Sequence, residues 1–138
     1  MRGGRFARDF VCALRGEAME CTEIYAGPEG HSLFRTISVF EVAEVLFNGV
    51  AVSLSLPQPC ESVLVHEFDD SYCLGWHNPP SRQYVVVLEG ELEISVQGTN
   101  AVQRFAAGSM FLAGDMQGTG HQTRAIRAGR ALVLNVQR

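Results

Sequence analysis

The segment Glu91-Leu92-Glu93-Ile94-Ser95-Val96-Gln97 alternates strictly, with Leu92, Ile94 and Val96 on one side and the polar residues on the other. A period of two is that of a strand with one buried and one wet face. Just before it, Gln83 to Leu88 is a continuous apolar run rich in β-branched residues, and Glu89-Gly90 reads as a tight link joining two paired hairpin strands. Further strands are expected at Val50 to Leu56, Ser62 to Phe68, Val102 to Phe105, Ser109 to Ala113, His121 to Ile126 and Arg130 to Val136, with Cys73 in a strand leading to His77. Turn residues punctuate them at Pro57-Gln58-Pro59, Asp69-Asp70-Ser71, Asn78-Pro79-Pro80, Gln97-Gly98-Thr99-Asn100, Ala107-Gly108 and Ala128-Gly129. Short strands at this spacing predict an all-β sandwich or barrel with little helix. Ile37 to Phe47 fits either period: Val39, Val42, Ala43 and Leu46 make one helical face, while Ile37, Val39 and Glu41 suit a strand. At the N-terminus Phe6, Phe10 and Leu14 recur at helical spacing before Gly16.

The chain has 138 residues, the size of one compact domain. Residues 1–18 are read as an N-terminal extension, a short helix or disordered, and residues 19–138 as one β-barrel domain. The basic opening, with Arg2, Arg5, Arg8 and Arg15 against Asp9 and Glu17, also admits a mitochondrial transit peptide, and Met19 is an alternative start. Hydrophobic residues at 46% and charged residues at 19% supply a core and exclude a disordered chain. A net charge of -4 offers no basic field for phosphates, so no nucleic-acid partner is expected. The apolar runs are far shorter than a membrane span of ~20 residues, so no membrane partner is expected either, and the expected location is cytoplasmic. Cys12, Cys21, Cys60 and Cys73 form no C-x-x-C pair, which leaves no zinc-knuckle or dithiol signature.

The candidate chemistry lies in two loops. Trp76-His77-Asn78-Pro79-Pro80-Ser81-Arg82-Gln83 leads into the apolar run, where Gln83 shares a face with Val85 and Val87 and so points its amide inward. Gly114-Asp115-Met116-Gln117-Gly118-Thr119-Gly120 is a Gly-rich connection delivering His121 at the start of a strand, on the face of Thr123 and Ala125. These residues resemble the two motifs of the cupins, small jelly-roll β-barrels, written G-x5-H-x-H-x3-4-E-x6-G and G-x5-P-x-G-x2-H-x3-N. His77 matches the first histidine, Pro79 stands in place of the second, Gln83 in place of the glutamate, and Gly90 closes the motif. In the second motif Gly108, Gly118 and His121 match, Met116 takes the proline position and Ala125 the asparagine position, with two residues inserted. The stretch around Trp76 to Leu88 is similar to a subgroup of single-domain cupins without an assigned reaction.

The resemblance implies an all-β, single cupin-type jelly-roll barrel, assembled as a homodimer. In metal-binding cupins two or three imidazoles and a carboxylate hold a divalent ion. The corresponding set here is His77, Gln83 and His121, for iron, manganese or zinc, with an amide that donates more weakly than a carboxylate. The other reading is a hydrogen-bonding pocket lined by Trp76, His77, Gln83, His121 and His66, the last being an inner-wall residue between Leu64 and Phe68. The function expected is binding of a small molecule at a partly degenerate metal site at the barrel mouth. The alternative is a metal-dependent dioxygenase or isomerase acting on a small organic substrate, and no catalytic residue is assigned. Asp115 either orients a histidine or serves a turn, Arg82 faces away from Gln83, and His31 is an exposed turn residue. Because His77 and His121 fall at strand ends, replacing either by alanine is expected to leave the fold intact.

Overall fold

The structure, a computed structural model, describes residues 10–136. These form strands and no helix, as the short alternating segments predict: β1 (Phe10–Ala26), β2 (Ser32–Phe47), β3 (Val50–Ser55), β4 (Cys60–Phe68), β5 (Cys73–His77), β6 (Gln83–Val96), β7 (Val102–Ala106), β8 (Met110–Ala113) and β9 (His121–Val136). No helix among the described residues is long and apolar enough to cross a membrane. The chain divides into two compact units, one holding the described residues up to Glu20 together with Ile37–Gln58, the other Cys21–Thr36 and the chain from Pro59 onward.

In the first unit, β2 and β3 form an antiparallel hairpin with Val45 opposite Val52 and Phe47 opposite Val50. Its turn is Asn48-Gly49, with φ of 49° and 78° at the two residues. Positive φ at both central positions matches the right-handed twist of the strands, and Asn-Gly tolerates it best. That turn fixes the register, so Ile37 to Phe47 is strand, with Ala43 and Val45 buried on one face. The helix expected over Phe6 to Leu14 is not found where it can be seen. Phe10 already begins β1, and Phe10 and Leu14, four residues apart, fit a period of two as well as a helical one. Phe6 lies outside the described residues.

The second unit is built on two long strands that each cross from one layer to the other. The first half of β6 pairs with β8 and with the second half of β9, which also pairs with β4. The second half of β6 pairs with β7 and with the first half of β9, which also pairs with β5. The end of β1 joins the first layer through a parallel pairing with β8, Glu23 opposite Leu112. One core fills the space between. Val85, Val87, Phe111 and Val133 from the first layer and Leu92, Ile94, Val96 and Phe105 from the second belong to a single buried cluster.

Glu89-Gly90 and Ala128-Gly129 are therefore not hairpin turns, and the two halves of β6 do not pair with each other. They are facing bulges at the corner where both strands change layer, and the register slips there between Val87 and Leu92. Gly90 has a φ of 79°. A Cβ on Gly90 would collide with the carbonyls of Arg127 and Ala128, and one on Gly129 with the carbonyl of Glu89. The extra residue also switches the inward parity of β6 from odd (Val85, Val87) to even (Leu92, Ile94, Val96), which keeps the apolar side of both halves on the core.

Candidate functional site

His77 is the last residue of β5 and His121 the first of β9, and the two stand directly opposite one another. Their ring centroids are 4.4 Å apart with the planes inclined at 60°. The connection into β9 can approach this closely only because of Gly120, whose φ is 76° and where any Cβ would strike the His77 carbonyl. Asn78 ties the same loops together, its Nδ2 donating to the carbonyls of Asp115 at 2.8 Å and Gly118 at 3.3 Å.

Each imidazole is held through Nδ1. His77 Nδ1 donates to the Gly75 carbonyl at 2.7 Å. His121 Nδ1 faces Asp115, 2.9 Å from Oδ2 and 3.1 Å from Oδ1. Asp115 is wholly buried and His121 nearly so, and Ser32 Oγ donates to the same Oδ2 at 2.6 Å. A carbonyl and a carboxylate oxygen accept, so Nδ1 is the donor in each contact and Nε2 is the ring nitrogen left over. Partial burial, the largest influence, pushes the His77 pKa below the usual histidine value, and nearby His121 lowers it further against the opposing effects of the Gly75 carbonyl and Asp115. His77 is thus neutral at pH 7 and presents an acceptor nitrogen beside His121.

The remaining expected site residues are distributed differently. Gln83 is half-buried at the start of β6, its backbone opposite Ala113 and Asn135. Trp76 is 43% exposed, which removes it from the core. His66 packs edge-on against Tyr72 at 4.9 Å and Phe68 at 5.7 Å, further along the unit, and burial lowers its pKa. His31 is exposed, as expected, with Nδ1 3.4 Å from Thr119 Oγ1. Pro79, in the place of a cupin histidine, is buried. Asp115 contacts His121 rather than serving as a plain turn residue, and His121, though at a strand end, is buried. Ser32 was not foreseen as a partner, because it lies 83 residues away in sequence and no local pattern marks it.

Two imidazoles anchored through Nδ1, with Nε2 not used in those contacts, have the presentation that metal-ligating histidines show. The set stops at two. The nearest carboxylate, Asp115, is engaged by His121 and Ser32, and no cluster of three His, Cys, Asp or Glu side chains with metal-binding geometry exists among the described residues. These residues do not by themselves make a complete site for a divalent ion, so no chemistry is derived through one.

No protein-family model matches the chain, and no curated protein matches it. Among solved structures it is similar to an RmlC-like cupin protein from Desulfovibrio desulfuricans, at 17% identity over 90% of this chain and 92% of that one, with a TM-score of 0.40. It is also similar to the Cnp3 cupin domain of Schizosaccharomyces pombe, at 11% identity, 85% and 80% coverage and a TM-score of 0.42. The likeness is to cupin folds. A conserved Streptococcus pyogenes protein of unknown function is 21% identical over 61% of this chain and 70% of that one, with a TM-score of 0.47.

Proposed function

We propose that the chain binds a small organic molecule at the His77–His121 edge of its second unit. The observation that carries this reading is the 4.4 Å pairing of two rings whose Nδ1 atoms are both engaged by the protein, so that Nε2 is the atom each has left for a ligand. The acceptor Nε2 of His77 suits a molecule bearing a hydroxyl or N–H donor, and Asp115 holds the His121 ring in place beside it.

The test follows the imidazole Cε1–H resonances of His77 and His121 while neutral polyols and hydroxy-ketones are added to protein purified without tag or chelator. The metal content of the same sample is measured by elemental analysis. Saturable shifts of both resonances, lost in His77→Ala, are expected. A near-stoichiometric transition metal lost in both His77→Ala and His121→Ala would replace this reading with the metal-dependent dioxygenase or isomerase, the missing donors then coming from water or substrate. Absence of both shifts and metal overturns it.

A further inference from the structure

The loop that brings Asp115 to His121 also borders a pocket of about 530 Å³, whose walls include Glu23, Tyr25, Arg35, Arg82, Gly114 and Met116, all from the second unit. Glu23 is 2% exposed, and a carboxylate buried to that degree needs cationic partners. It has two. Arg35 Nε donates to Oε1 at 2.7 Å and Arg82 Nη1 to Oε2 at 2.9 Å. A guanidinium carries five N–H donors, and each arginine gives Glu23 only one, so neither forms the paired fork that a single carboxylate could accept from one arginine. The pocket therefore holds two positive charges against one negative, a surplus of one, together with N–H donors beyond those Glu23 uses.

Shape agrees with charge. The Arg35 guanidinium lies over the Tyr25 ring, 4.0 Å from its centroid, which fixes its plane. At Gly114 a Cβ would stand 2.9 Å from Arg82 Nη1 and 3.3 Å from Glu23 Oε2, so the absence of a side chain there keeps space beside the ion pairs. Tyr25 and Met116 provide apolar surface at the same walls.

We infer that this pocket is a binding site for a small organic monocarboxylate, its carboxylate bridging Arg35 and Arg82 and its body lying against Tyr25 and Met116. One negative charge balances the surplus, and a planar carboxylate matches the guanidinium donors. The inference is independent of the reading of the histidine pair, which is followed by different resonances.

Backbone amide shifts of Tyr25, Gly114 and Met116 are recorded while benzoate, its neutral counterpart benzamide, or inorganic phosphate is added. Saturable shifts with benzoate, and none with benzamide, are expected. Arg35→Gln, which leaves Arg82 paired with Glu23, should raise the benzoate Kd by about tenfold or more, with unchanged amide shifts away from the pocket showing that the chain still folds. Glu23→Gln, which takes the pocket from a surplus of one positive charge to two, should lower the Kd. Equal shifts from benzamide, tighter binding of phosphate than of benzoate, no saturable shift, or an unchanged Kd in Arg35→Gln would each overturn the assignment.

Discussion

One oxygen of Asp115 joins two distant parts of the chain: Oδ2 accepts from Ser32 Oγ at 2.6 Å and lies 2.9 Å from His121 Nδ1, with the carboxylate wholly shielded from solvent. A buried carboxylate depends on every donor it has, because water cannot replace one that is lost. Ser32→Ala removes the shorter of the two contacts and leaves the rest of β2 in place. It is expected to cost about 1–3 kcal/mol, read from the midpoint of urea unfolding. An unchanged midpoint would mean that the Ser32 hydroxyl contributes nothing to holding Asp115.

The same geometry separates the two histidines. His121→Ala strips the buried carboxylate of its imidazole and should cost about 3 kcal/mol. His77, half-buried and bonded only to the nearby Gly75 carbonyl, should cost about 1 kcal/mol on replacement by alanine. Parallel thermal melts check the ordering. Equal losses in the two variants would contradict the role assigned to Asp115.

The corner of the second unit makes a third expectation. Gly129 abuts the Glu89 carbonyl so closely that Gly129→Ala must push β6 and β9 apart, at a cost above about 2 kcal/mol. Gly108 provides the control. It has a φ of 91° but open space around the Cβ position, so Gly108→Ala meets only backbone strain of about 1 kcal/mol. If Gly129→Ala were as mild as Gly108→Ala, the two strands would not cross as tightly as described.

That corner also shows where sequence reading stops. The alternation of Leu92, Ile94 and Val96 identifies a strand from its own residues, and the same holds for β3, β4, β7 and β8. Glu89-Gly90 and Ala128-Gly129, however, carry the same local chemistry whether the chain reverses or merely bulges. Only the partner decides, and the partner lies some forty residues away. The histidine pair was legible because glycine spacing and motif position mark both members. The groups that orient and surround it were not, since Ser32 reaches Asp115 across 83 residues and Glu23 reaches Arg82 across 59. The third donor expected at Gln83 rested on motif position and on the strand face it shares with Val85 and Val87, and β6 sets its backbone opposite Ala113 and Asn135.

Acid should weaken the fold before the carboxylates titrate. Burial lowers the pKa of both His66 and His77 from the ordinary value of 6.5, so the folded chain resists protonation at sites where the unfolded chain accepts it. Well above pH 6.5, from about pH 7.5 upward, both rings are neutral in either state and contribute no pH dependence. As pH falls below that value the unfolded state takes up protons first. Stability therefore declines with falling pH until the folded-state pKa values are passed, then levels off with respect to these two groups. A series of Tm values between about pH 7.5 and 5 should show this decline. His66→Leu, which keeps an apolar body against Phe68 and Tyr72 but cannot titrate, should make it shallower, and His77→Ala should remove a further part. An acid slope identical in wild type and both variants would mean that neither burial nor the neighbouring ring opposes protonation in the folded protein.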